Sequence, residues 1–428
     1  MGTTWTIARR EIADGVGTGR VPLLFVLVLV VLGTGLFAMR NDYLARQQAY
    51  DLNRPDGTEP VVAAAPSPLS VFARELDDAM GRRFDIDVVR INVAHSQASA
   101  NPLFGVFPTP DWLFLFQVVL GLLAFLAGYD LICREKAQGT LKLLLSGGAS
   151  RAEIALGKWL GNWLGLVLPV LLAALLWLVL AEPLFGVAFR PGDVLAVATF
   201  LGLGLVYLTV CFTIAAALSA LFHDQTTALV TSVLVWAVVV FVMPSVSVLV
   251  ARQTVEVRPL ALAGAERSQV FGQGMIELFD SARAAVNRTM EERGAETLES
   301  YSRIHRSNDR ISERVAAETG ALTRVSEAMI RLSPAGAFEG VATRVLGTSI
   351  HDEARFKRRM IEYKNAILPS MLEGWRWDEP VEYPAFERPR PTVGEALAAR
   401  SADLVALAVV AVLSLLVYFI AVREYDVR

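Results

Sequence analysis

Six apolar runs, each of about membrane-crossing length, dominate the 428-residue chain and leave few folds open to it. They cover residues 21–39, 112–132, 160–180, 194–222, 226–250 and 403–422, and none carries a charge near its middle. A hydrocarbon core about 30 Å thick takes about 20 mostly apolar residues of helix to cross. Lipid offers no partner for an open backbone, so runs of this kind are expected as helices. Composition agrees: 54% of residues are hydrophobic and 19% charged, at a mean hydropathy of +0.45. Soluble domains carry about 25% charged residues. The expected fold class is an all-α integral membrane protein with six transmembrane helices. A net charge of −3 provides no basic field for nucleic acid. Cys133 and Cys211 have no CxxC spacing or histidine neighbour, so neither a disulfide framework nor a metal site is expected.

Six spans place both termini on one side of the membrane. The polar segment 133–159 carries Arg134, Lys136, Lys142, Arg151 and Lys158, whereas the short connection 181–193 carries only Arg190. Lysine and arginine accumulate in cytoplasmic loops. The expected arrangement therefore has 1–20, 133–159 and 423–428 in the cytoplasm, with 40–111 and 251–402 outside. Trp112 and Trp177 would then sit at the outer interface, and Trp159 and Trp163 at the inner one, as aromatic belts.

Between the spans the residues are patterned too. In 1–20, Trp5, Ala8, Ile12 and Val16 share a helical face opposite Arg9, Glu11 and Asp14, which fits an interfacial helix. A solvated N-terminal helix fits the same pattern. Segment 40–111 reads as a small mixed α/β loop: a linker around 54–68, a helical patch over 69–80, and alternation over 84–93 that fits one short strand. Segment 251–402 reads as a helical domain. Phe271, Met275, Leu278, Ala282 and Ala285 recur in steps of three and four. So do Ile304, Ile311, Val315, Leu322, Val325, Met329 and Leu332, with Asn308 and Glu318 on the seam. These patterns predict two long helices joined near Gly294 as an antiparallel hairpin. A third helix is expected over about 351–372, then a proline-rich run over 380–391.

Several chemistries lack their motifs. Gly157-Lys158 is followed by Trp159 and lacks the earlier glycine of a phosphate-binding loop. No HExxH, nucleophile elbow or paired histidine ligands occur, and His95, His223, His305 and His351 are scattered. No acidic or basic residue stands mid-span to couple an ion gradient. The chain is expected to have no catalytic site, metal or cofactor of its own. If it moves anything, a partner supplies the energy.

Attention then falls on 133–159. Leu141, Leu144 and Leu145 share a face, Gly147-Gly148 interrupts, and Ser150 can cap a new helix with Glu153 completing a capping box. A short amphipathic helix at the membrane surface could pass force from a soluble partner, although an ordinary positive-inside loop fits these residues equally well. Gly161 and Gly165 could let the third span pack closely on a neighbour, or could simply face lipid. Pro169 and Pro244 are candidate bend points.

The wording of this segment resembles the bacterial ABC-2 type transporter permeases. The matching residues are Glu135, Gly139, Thr140, Leu141, Leu144, Leu145 and Ser146, then Ser150, Arg151, Glu153, Ile154, Gly157 and Lys158. Asn101-Pro102-Leu103, Asp111, Leu332-Ser333-Pro334, Gly347-Thr348 and the terminal Tyr425-Asp426-Val427-Arg428 look like one subgroup, with a large outside insertion between spans five and six. That subgroup includes relatives of gliding-motility and nitrous-oxide-reductase maturation permeases. The resemblance implies a type V exporter-like fold and a permease working as a pair, either two identical chains or two paralogues, in the bacterial inner membrane. It implies a separate ABC ATPase subunit that binds ATP and Mg. It also implies an ATPase-coupling role for Glu135, Gly139, Thr140, Leu141, Leu144, Ser146, Arg151, Glu153, Gly157 and Lys158. Where relatives often have proline, this chain has Gly148. Two functions are compatible with the resemblance: export of a substrate, or mechanical action of the outside domain on an extracytoplasmic protein partner. Besides these protein partners, the spans contact membrane lipids.

Overall fold

The computed structural model describes residues 2–87, 91–93, 109–140, 150–187, 189–284, 289–377 and 381–424. Helix α1 (Thr3–Gly17) precedes α2 (Arg20–Leu52), the first of six helices among the described residues that are long and apolar enough to cross a membrane. The others are α3 (Trp112–Gln138), α4 (Arg151–Phe185), α5 (Pro191–Leu221), α6 (Gln225–Thr254) and, last in the chain, α12 (Ser401–Glu424). Between α6 and α12 lie α7 (Leu260–Ala284), α8 (Met290–Ile330), α9 (Pro334–Leu346), α10 (Ile350–Trp377) and α11 (Val393–Ala399). The all-α membrane class expected from the apolar runs is the class observed. The end of the bundle holding α1 and the α3–α4 connection is called the loop end, and the other the insertion end.

Side-chain caps fix where several spans begin. Asp111 accepts from the Phe114 amide at 2.9 Å, Asp224 accepts from Thr227 at 2.8 Å, and Ser150 and Glu153 form a capping box. The helices overrun the apolar runs. Polar residues there find helix-compatible partners: Arg46 donates to Asp42 one turn earlier at 2.8 Å, so α2 continues to Leu52. Likewise α4 begins at Arg151 without a break before the span, so the residues after Ser150 are the first turns of the span rather than a separate short helix.

In the bundle core, Phe116, Phe200, Tyr207 and Phe338 pack ring to ring, Tyr207 stacking on Phe338 with centroids 5.1 Å apart. The four tryptophans expected in interfacial belts hydrogen-bond between helices. Trp112 and Trp177 donate to the Leu32 and Leu29 carbonyls of α2, while Trp159 and Trp163 stack and donate to Thr213 and Thr209. An indole N–H buried among helices has to find an acceptor, and the threonine hydroxyls of α5 and the carbonyls of α2 provide one.

At the insertion end, the 84–93 stretch forms two strands rather than one. β2 (Phe84–Ile86) pairs antiparallel with both β1 (Val61–Val62) and β3 (Ile91–Val93). The expected 69–80 helix is two short pieces, Pro68–Val71 and Asp77–Met80. The sheet packs on α10 through Val62, Met80, Phe84, Ile86, Phe356 and Met360. The hairpin α7–α8 is antiparallel, as Arg258–Glu318, Arg314–Glu266 and Arg303–Glu277 ion pairs require. Helix α8 already runs from Met290, so Gly294 lies inside it rather than at the joint. A glycine costs a helix only about 1 kcal/mol, too little to end a 41-residue helix. Ile304 and Ile311 are buried on the seam, whereas Leu332 lies past the helix end and is exposed. Ala285 lies outside the described residues.

Helix α9 has no counterpart in the sequence reading beyond the Leu332-Ser333-Pro334 and Gly347-Thr348 that flank it. It is buried along most of its length, wedged into the insertion end of the bundle. Its start is tied to the two places where spans loosen into π-helical turns, Leu115–Leu120 of α3 and Val238–Val242 of α6. Gln117 donates to the Ala335 carbonyl and to Glu339, each at 3.0 Å, and Ser333 Oγ donates to the Val239 carbonyl at 2.6 Å. π-turns free carbonyls and mark places where helices bend or meet a partner.

Candidate functional site

At the loop end the described parts of the α3–α4 connection are fixed to three other elements. Lys158 of α4 is buried and pairs with Glu135 of α3 at 2.5 Å and Glu11 of α1 at 2.7 Å. Asn162, one turn along α4, donates to the other oxygen of Glu11 at 3.2 Å. Three helices thus share one ammonium. A buried ammonium is costly unless carboxylates pair with it. The second Glu135 oxygen, Oε2, is buried with no hydrogen-bond partner among the described residues.

Other tethers radiate from the same region. The backbone amides of Ile132 and Cys133 donate to Ser219 Oγ at 2.9 and 3.1 Å, and the Lys136 ammonium donates to the Ala220 carbonyl, both near the end of α5. Tyr418 of α12 donates to the Ala155 carbonyl at 2.9 Å, and the Arg151 guanidinium donates to the Arg423 carbonyl. Gly139 ends α3 with φ +71°, a left-handed conformation that glycine adopts without strain. Thr140 follows it, partly exposed. Glu153 accepts from the Ser150 amide at 2.9 Å in the capping box. Leu141, Leu144 and Ser146, with Leu145 and Gly147-Gly148, lie outside the described residues.

Helix α1 lies against α4 on a glycine face. A Cβ on Gly157 would stand 2.8 Å from Ile7 Cβ, and one on Gly161 would stand 2.6 Å from Glu11 Cβ and 2.7 Å from the Ala8 carbonyl. Gly165 meets only Val21, at an ordinary 3.5 Å. The close-packing glycines are therefore Gly157 and Gly161, seated on the N-terminal helix. Gly161→Leu should push α1 off α4 and lower stability by about 1–3 kcal/mol, the cost of overpacking. Gly165→Ala should leave the midpoint nearly unchanged. Thermal unfolding of the detergent-purified chain checks both.

Glu135, Gly157 and Lys158 thus converge in space, and Glu11 and Asn162 join them without having been singled out in the sequence. The Lys158-x-x-x-Asn162 spacing puts both on one face of α4. Glu11 was legible only as part of the polar face of α1.

A second polar cluster lies at the insertion end, beside α9. Asp111 is buried, and burial pushes its carboxyl up to about 6 despite amide donors from Phe114 and Arg74. Glu75 reaches water but is hemmed in by protein, which with the charges of Glu339 and Asp111 raises it to about 7. Burial raises Glu339 as well, against its donor Gln117. Near neutrality the three share fewer than three negative charges. Glu75 is also the one non-glycine residue with positive φ, 32°, among the described residues.

Residues 5–349 match the profile of the ABC-2 family transporter proteins. The chain belongs to that family. It is a multi-pass membrane protein and the permease type of subunit in an ABC transporter, a family of membrane components that are typically non-catalytic and imply an ABC ATPase partner. No curated protein matches it. Nothing in the described residues groups three or more histidine, cysteine or acidic side chains for a metal.

Proposed function

We propose that this chain is the transmembrane subunit of an ATP-driven exporter in a bacterial inner membrane, pairing with a second permease copy and two ATPase subunits. Both termini and the α3–α4 connection face the cytoplasm, as the excess of lysine and arginine in 133–159 favours. Residues 134–158 receive the ATPase, with Glu135, Gly139, Thr140, Leu141, Leu144, Ser146, Arg151, Glu153, Gly157 and Lys158 as the coupling set. ATP and Mg reside on the partner.

One observation carries the reading: the connection's flanks are bonded to α1, α5 and α12 as well as to the spans they continue. A push on the loop would be felt by five helices. Within the set the roles divide. Glu135 and Lys158 are partly or wholly buried and transmit displacement through the Glu11 triad, while exposed residues around Gly139 meet the ATPase. Gly157 acts by seating α1.

Mechanical action on an outside partner is the second reading, and α9 favours it. The 41-residue α8, about 60 Å long, runs directly into a helix bolted between the π-turns of α3 and α6. Bending at those turns would tilt the hairpin. Proteoliposomes holding permease and ATPase separate the two. The export reading expects ATP-dependent depletion of a compound from one compartment, screened across lipids, peptides and glycans. Full ATPase stimulation with no compound moved, and a soluble protein retained by the 251–402 segment, would favour the mechanical reading.

A further inference from the structure

Beside the Glu11–Lys158–Glu135 triad, α1, α2, α3 and α4 enclose a cleft of about 1200 Å³ open to the surroundings. One wall is apolar and faces outward: Leu23 is 70% exposed, with Leu27 and Leu126 also open. Leu23 and Leu27 lie within the first turns of α2 and Leu126 in the later half of α3, within the apolar stretches where acyl chains run. The mouth is charged and balanced. Arg10, Arg20, Arg134 and Lys158 face it together with Glu11, Asp14, Asp130 and Glu135. Arg10 pairs with Asp14, and Lys158 with Glu11 and Glu135.

Groups of both signs are left short of partners. Arg20 stands 4.0 Å from Asp130, beyond hydrogen-bond reach, and Arg134 makes no salt bridge among the described residues. Glu135 Oε2 is buried without a donor among the described residues. A headgroup that fits must offer an anion to the two arginines and a hydrogen-bonding cation to the carboxylates. It must carry acyl chains for the leucine wall.

We propose that this cleft binds a zwitterionic, amine-bearing glycerophospholipid of the loop-side leaflet. Its phosphate bridges Arg20 and Arg134, its ammonium meets Asp130, and a chain lies along Leu23, Leu27 and Leu126. The equal count of opposite charges argues against a purely anionic lipid, which the carboxylates would repel. The inference rests on the six spans and the cleft, and stands whether or not the chain exports anything.

The test is native mass spectrometry of the detergent-purified, delipidated full-length protein, incubated in turn with phosphatidylethanolamine, phosphatidylglycerol and the chain-free headgroup glycerophosphoethanolamine. The expected result is one retained phosphatidylethanolamine per chain, at least tenfold over phosphatidylglycerol, with no retention of the free headgroup. Arg20→Glu with Arg134→Glu should reduce retention at least tenfold. Leu27→Trp, which narrows the wall and leaves every charge in place, should reduce it severalfold. Preference for phosphatidylglycerol, retention of the free headgroup, or equal retention by wild type and both variants would each overturn the proposal.

Discussion

Replacing Lys158 with alanine should destabilise the loop end by about 3–5 kcal/mol, the cost of stranding charges whose partner has been removed from a buried pair. Lys158 is 5% exposed and is the ion-pair partner shared by Glu11 and Glu135. Without it two carboxylates on different helices face each other, and α1 should swing away from α4. The expected readouts are a large drop in thermal midpoint and faster proteolysis within Thr3–Gly17. The combined variant Glu11→Gln, Lys158→Met, Glu135→Gln should recover most of the stability, because neutral groups of similar size remove the unpaired charges. A Lys158→Ala midpoint within experimental error of wild type would mean that the triad does not hold these helices.

At the other end the largest effect should come from Asp77. This carboxylate is fully buried and accepts from Arg46 of α2 at 2.5 Å and from Arg388, in the segment before α11, at 2.6 Å. Arg46 also reaches Ser70, and Arg388 the Gly347 carbonyl. One side chain therefore joins the first span's extension, the outer loop and the chain entering the last span. Asp77→Ala should cost about 3–5 kcal/mol by leaving two guanidinium groups underpaired. Asp85→Ala, which loses only a half-exposed pair with Arg83, should cost under about 1 kcal/mol. Burial alone would raise the Asp77 pKa, but Arg388 and Arg46 outweigh it and hold the carboxyl below its ordinary value. The sign follows: this contribution is complete above about pH 3.9, the unfolded aspartate value, and fades as pH falls through the lower folded value. Thermal melts of both variants and a pH series on wild type measure these effects.

How much of this was legible depended on whether the signal was local. The six spans could be read because lipid forces each to be a continuous apolar helix, and the Ser150–Glu153 cap because its partners are three residues apart. The antiparallel hairpin followed from its seam, although the turn was misplaced at Gly294, where one glycine proved too weak a breaker. Helix α9 was hidden. Nothing local in its 13 residues announces its burial, and its depth is set by Gln117 and Val239, more than 90 positions away. At the candidate site Glu135 and Lys158 stood out by their family pattern, but their pairing through Glu11 depends on how α1 folds back on Gly157 and Gly161. The partners of the tryptophan N–H groups were not legible either, because only the packed bundle supplies those carbonyl and hydroxyl acceptors.

Force from the ATPase is expected to enter at the α3–α4 connection. The direct measurement places a photo-crosslinking residue at exposed Gln138, beside the Gly139 cap, in the complete permease–ATPase assembly. A matching probe at exposed Ile276 on α7 serves as the opposite-end control. The account predicts a cross-link from position 138 to the ATPase subunit whose yield changes when ATP is added, and none from position 276. A cross-link to the ATPase from 276, with none from 138, would contradict both the orientation and the coupling role.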